Sequence, residues 1–183
     1  MVVVVAALAL TLSGCGAHAQ LRMVGPNTAS LAIDDAAYDA PRSIGSMMLC
    51  VTSPATATIT GVTPHQPSGD IRVEAFSVRP NPFARGLDGL GDDLRPLADI
   101  GAGFDPGAVQ TVSGRCPTDT QLDDSTIAAQ VVELGVQVSW SSGDVAGTTG
   151  LDVGYEVAGS TATAFIPFGI WLCAQTCPDG VGS

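Results

Sequence analysis

Between Val132 and Trp140 every second residue is apolar (Val132, Leu134, Val136, Val138, Trp140), and Glu133, Gly135, Gln137 and Ser139 fill the gaps. A period of two fits an extended strand with one face buried and the other turned to water, because successive side chains leave a strand on opposite sides. Leu151, Val153, Tyr155 and Val157 repeat the pattern against Asp152, Gly154, Glu156 and Ala158. A Gly-rich connection at 141–150 separates the two segments, which together read as an antiparallel hairpin. A further strand is expected from Thr161 to Cys173, with Ala162, Ala164, Ile166, Phe168, Ile170 and Leu172 on one face. Pro167 has no amide hydrogen to give a neighbouring strand, so it implies an edge position or a bulge midway.

Shorter extended segments lie upstream: Met47 to Val51, Ala55 to Val62 and Ile71 to Val78, the last with Ile71, Val73 and Ala75 on one face. The Pro-His-Gln-Pro-Ser-Gly stretch at 64–69 marks a turn between the last two, and Val109 to Cys116 is a weaker candidate strand. No segment has the spacing of a helix. About seven short strands bounded by Pro and Gly predict an all-β domain, an antiparallel β-sandwich of immunoglobulin-like architecture. Cys116, Trp140 and Cys173 follow an immunoglobulin-like order, but Trp171 stands where a tyrosine is expected two residues before the second cysteine, so the likeness stays at architecture.

Residues Val2 to Leu12 form an apolar run of 11 residues, far short of the roughly 20 a membrane-spanning helix needs. It matches the apolar region of a secretory signal peptide. Leu12-Ser13-Gly14-Cys15 follows directly and resembles the lipobox of bacterial lipoproteins. That resemblance implies cleavage after Gly14, with Cys15 as the lipid-bearing first mature residue. No Lys or Arg precedes Arg22, a departure that points to translation starting further upstream. The expected organisation is a signal peptide at 1–14, a flexible lipid-anchored tether at 15–45 and the β-sandwich at 46–183. Part of the tether, Ala29 to Ile33 or Ala36 to Tyr38, has the composition of an edge strand, although a solvated linker is the preferred reading. The expected location is the outer face of the cell membrane.

Assigning Cys15 to lipid leaves Cys50, Cys116, Cys173 and Cys177, an even set in an exported chain and hence two disulfides. Three connectivities are possible. Cys50–Cys116 with Cys173–Cys177 is preferred, because three intervening residues can close a small loop after the last strand. The Cys173-Ala-Gln-Thr-Cys177 spacing is wrong for a thioredoxin-like redox pair, and His18 and His65 do not complete a zinc site.

Eighteen acidic residues face seven basic ones, for a net charge of -11. Nucleic acid is excluded as a partner, because its binders need a basic face to displace counterions. Anionic headgroups repel such a domain too, so membrane attachment falls to the lipid.

Residues 79–106 break the strand rhythm with Asn81-Pro82, Gly86, Asp88-Gly89, Gly91-Asp92-Asp93 and Gly103, which read as a long loop. Asp88, Asp92, Asp93 and Asp99 offer hard oxygen ligands, so the loop is a candidate calcium or small-ligand site, with Asp88, Asp92 and Asp93 as the nearest to ligands; their spacing misses the calcium-loop template, and no cofactor is otherwise expected. Asp123-Asp124 reads as the start of a turn or short cap. For nucleophilic catalysis the folded region has a single histidine, His65, set in a turn, and no Gly-x-Ser-x-Gly elbow. Glu133 and Glu156 take outward strand positions, which suits a surface role. The leading expectation is a non-catalytic, lipid-anchored module that presents a surface to an envelope protein, a glycan or a cell-wall component. An envelope hydrolase is a lesser alternative.

Overall fold

The computed structural model describes residues 19–25, 29–85, 88–117 and 130–181. The expected signal peptide, Cys15, His18 and Asp123-Asp124 lie outside these residues. The chain folds as an all-β sandwich, with twelve strand segments among the described residues. Seven of them are six residues or longer: β3 (Arg42–Val51), β4 (Ala57–His65), β5 (Arg72–Pro80), β8 (Val132–Ser139), β10 (Gly150–Val157), β11 (Ser160–Ile166) and β12 (Phe168–Cys173). The shorter ones are β1 (Leu21–Val24), β2 (Ala29–Ile33), β6 (Asp92–Asp93), β7 (Thr111–Val112) and β9 (Val145–Thr148). No helix among the described residues is long and apolar enough to cross a membrane.

One layer has the order β1-β3-β8-β5, with β6 on the edge of β3 beside Ser43 and Ile44. The second layer is built on a long bent hairpin, whose arms are β9 with β10 and β11 with β12. Leu151 stands opposite Ile166, but Thr148 stands opposite Ile170, so the register slips by one residue where the arms pass Thr149 and Pro167. This is the expected midway bulge. The alternation survives it: Ile166, Phe168, Ile170 and Leu172 all point into the core. β4 and β7 extend the layer beside β10, and β2 runs parallel to β12.

Two expectations about connectivity are corrected. β8 and β10 do not form a hairpin, because β8 pairs with β3 and β5 in the first layer while β10 pairs with β4 and β11 in the second. The residues between them include β9, so the chain crosses layers instead of turning back on itself. The region assigned to a tether is part of the domain from Leu21 onward. β1 pairs with the end of β3, β2 is Ala29 to Ile33 as the edge-strand alternative had it, and Leu21, Ile33 and Ala36 are buried. Apolar side chains at these positions gain more from the core than from water, a preference that the Asp, Asn and Pro around them obscured.

The core holds Ile44, Met47, Leu49, Leu134, Val136, Val138, Trp140, Leu151, Val153, Ile166, Ile170 and Leu172, with Tyr155 and Phe168 as further large rings. Trp140 is fully buried, packs on Tyr38 at 4.8 Å between ring centroids, and directs its Nε1–H at the Ala37 carbonyl. Cys50 lies within bonding distance of Cys116, and Cys173 of Cys177, with Cα–Cα separations of 4.9 and 5.3 Å. This is the preferred connectivity of the three. The first bridge ties β3 to the segment after β7, where Cys116 N–H also donates to the Val51 carbonyl at 2.8 Å.

Candidate functional site

The two outer faces of the sandwich differ in kind. On the first layer the polar alternates of β8 are roofed by the 81–106 segment. Glu133, expected on the surface, is completely buried. Its Oε2 accepts from Arg79 Nε at 2.5 Å, and its Oε1 accepts from Ser46 N–H at 2.8 Å and Leu90 N–H at 2.6 Å. Arg79 is itself buried, with its guanidinium 4.4 Å from the centre of the Phe104 ring. Two residues on, Gly135 leaves room for the roof: a Cβ there would come within 2.8 Å of Phe104 and 3.0 Å of Leu97. Gln137 accepts from Leu97 N–H at 3.0 Å. A carboxylate can stay ionised away from water only with a countercharge and donors on its remaining lone pairs, and Arg79, Ser46 and Leu90 supply them.

Two aspartates of this segment are paired with arginines. Asp92 pairs with Arg42 at 2.9 Å, and Asp93 accepts from Arg95 Nε at 3.0 Å and Nη2 at 2.8 Å. Asp88 contributes its backbone carbonyl to Arg79. Arg42 and Arg95 engage the Asp92 and Asp93 carboxylates, and β6 holds these two on successive positions, whose side chains leave opposite faces of a strand. Among the described residues no group of three or more His, Cys, Asp or Glu side chains is placed to hold a metal ion.

Among the described residues, the outer face of the second layer carries no such roof. Thr63, Asp152 and Phe165 stand side by side on β4, β10 and β11, and Thr58, Glu156 and Thr161 form a matching row further along. Between the rows, Gly154 faces Thr163, and a bulge in β4 sets Thr60 beside Gly154. Thr60, Gly61, Thr63, Asp152, Gly154 and Thr163 line an open hollow of about 470 Å³. His65 stands behind Asp152, one of the lining residues. Its Nδ1 lies 2.9 and 3.1 Å from the two Asp152 carboxylate oxygens, and its ring sits 4.6 Å from that of Phe165. Phe165 remains 49% exposed. A side chain at Gly150 would collide with it, since a Cβ there would fall 2.4 Å from the ring. Glycine at that position lets Phe165 lie across the strand toward His65.

His65, placed in a turn by its prolines, thus ends β4, and the turn itself starts at Gln66, whose φ is 47°. Sequence periodicity put Asp152 on an outward position but could not bring His65 to it, because the partners lie 87 residues apart. The pair resembles a base held by a carboxylate. Yet among the described residues no hydroxyl or thiol bonds to the His65 ring, so the arrangement accepts and donates hydrogen bonds without an engaged nucleophile.

A larger groove of about 870 Å³ runs between the edge strands β1 and β11, lined by Leu21, Met23, Tyr155, Ala162 and Ala164 among others. Its one charged side chain, Arg22, is turned to Gln20 at 3.2 Å.

Comparison with known proteins finds no family model, no characterised sequence and no solved structure significantly similar to the chain.

Proposed function

We propose that this chain is an exported, lipid-anchored and non-catalytic binding module of the bacterial envelope, which offers the outer face of β4, β10 and β11 to an envelope component. The observation that carries the reading is the contrast between the two faces. One is sealed by a segment that neutralises its buried charge, whereas the other leaves an aromatic ring, a His–Asp pair and threonine hydroxyls open to solvent.

The lipobox Leu12-Ser13-Gly14-Cys15 supports the anchoring. Each buried CH₂ of an acyl chain contributes roughly 0.8 kcal/mol, so two or more chains at Cys15 outweigh the repulsion between an acidic domain and anionic headgroups. Since Leu21 already belongs to the sheet, the link from Cys15 can reach no further than about 20 Å at the length of an extended residue. The module is then held close to the membrane. Two disulfides suit an oxidising compartment.

Mass spectrometry of the mature protein should find a diacylated or triacylated peptide starting at Cys15; an unmodified Cys15 removes the anchor. Retention of the chain carrying Cys15→Ser, which has no lipid to hold it, on isolated envelopes should fall when Phe165 is also replaced by alanine. Equal retention of wild type and variant would remove this face from the reading.

A further inference from the structure

We propose that the open face of β4, β10 and β11 is a binding site for a neutral saccharide. The inference rests on the binding-module reading above and names its ligand class. Three features on one surface match three features of a sugar ring.

The C–H bonds on one face of a pyranose carry partial positive charge, and the face of an aromatic ring is the negative pole of its quadrupole. Phe165, half-exposed and braced by His65 at 4.6 Å, presents such a platform across the strand from Asp152, between the hollow that Asp152 lines and the larger groove that Phe165 itself borders. A carboxylate has about four lone-pair positions. Asp152 uses part of that capacity on His65 Nδ1 and, with its side chain 36% exposed, keeps the rest for adjacent hydroxyl groups of a ligand. The His65 contact fixes the orientation of the carboxylate before a ligand arrives, which lowers the ordering cost of binding. His65 Nε2 remains as the ring's other polar atom. Thr60, Thr63 and Thr163 surround Gly154, with the Thr60 hydroxyl lying close over it, so the hollow offers a cluster of hydroxyls to a polyol.

Charge narrows the class. The rows carry Asp152 and Glu156 and no arginine or lysine, within a chain of net charge -11. Uronic acids, phosphorylated polymers and nucleic acid are disfavoured at such a surface, while a neutral polyol is not. The hollow falls within the roughly 300–1,000 Å³ usual for small-ligand sites.

The test applies the full chain carrying Cys15→Ser, so that no acyl chain holds it, to an immobilised panel of neutral, acidic and amino glycans and to intact envelopes, before and after enzymatic removal of their glycan. Binding to at least one neutral glycan is expected. Phe165→Ala should weaken it by about tenfold or more, a loss of about 1.4 kcal/mol, while Phe165→Tyr and Phe165→Trp retain it. Asp152→Asn and Thr163→Val should each weaken it severalfold. Because Phe165 is half-exposed, its alanine variant should melt close to wild type, and amide shifts on titration should cluster at Thr63, Asp152 and Phe165. No retention on any neutral glycan overturns the proposal. Envelope binding that survives glycan removal but is lost in Phe165→Ala also overturns it, leaving the binding face intact with a protein as its partner. Envelope binding unaffected by Phe165→Ala overturns both.

Discussion

Glu133 is the residue whose role the alternating pattern of β8 hides. Period two assigns it outward, and it does point away from the sandwich core, but outward here means under a second cover. Replacing Glu133 with alanine should cost about 3–5 kcal/mol in chemical denaturation, because Arg79 is left buried without its countercharge. Ser46 and Leu90 amides lose their acceptor as well, at about 1–3 kcal/mol each for an unsatisfied buried group. The double variant Arg79→Met with Glu133→Leu should recover only part of the loss, since it removes the stranded charge but not the stranded amides. The aspartates of the roof make a separate prediction. Side-chain and backbone hydrogen bonds from Arg95 lower the Asp93 pKa from 3.8 to about 2. The folded state therefore binds that proton less tightly than the unfolded chain, and the stabilisation is complete above pH 4 and lost as pH falls toward 2. For Asp92 the sign reverses. Burial raises its pKa beyond what the Arg42 guanidinium can hold down, with Asp93 adding to the rise, so its ionisation opposes folding as pH climbs through the carboxylate range. Carboxyl-carbon NMR titration should place the Asp93 midpoint near 2 and that of Asp92 above 3.8.

At the scale of elements, the strands were legible wherever side chains on one face shared a single environment. β8, β10 and the β11–β12 arm follow the expected segments closely, because their inward residues meet the same core and their alternation is unbroken. β3 and β5 were seen only in part. A bulge between Ile44 and Met47 in β3, and another between Val73 and Ala75 in β5, shift the parity of the apolar residues, so a strict period of two stops at each bulge. The roof has no periodicity to read. It is held by single contacts from Leu97, Phe104 and Leu90 to residues distant in sequence. Gly135→Ala should press on Phe104 and Leu97, costing about 1–3 kcal/mol as overpacking does. Faster amide exchange should appear at Leu97 and Leu90, whose hydrogen bonds end on Gln137 and Glu133. Unchanged exchange at both sites would show that the roof does not depend on the empty space above Gly135.

Over the whole molecule, the Cys50–Cys116 bridge closes the longest covalent loop, with a sequence separation of 66. Replacing both cysteines with serine should lower stability by about 4 kcal/mol on the chain-entropy model, against about 2 kcal/mol for Cys173 and Cys177, whose loop is far shorter. Denaturant midpoints of the two double variants test the order. Non-reduced peptide mapping should link the same pairs.

What the sequence determined by itself was the class of fold, the placement of most of the long strands and an even set of four cysteines. Each rests on local alternation or on counting, and neither depends on where distant segments meet. The tertiary structure decided which strands share a layer, that the chain from Leu21 joins the sheet, that Glu133 is sealed under Arg79, and that His65 meets Asp152 and Phe165. The physical reason is the same in each case. Periodicity reports whether a face is covered, but a cover of core and a cover made by another loop leave different marks. An apolar core selects apolar residues, whereas the loop over β8 and the open face of β10 are both compatible with polar ones, so Glu133 and Glu156 look alike in sequence and end in opposite surroundings.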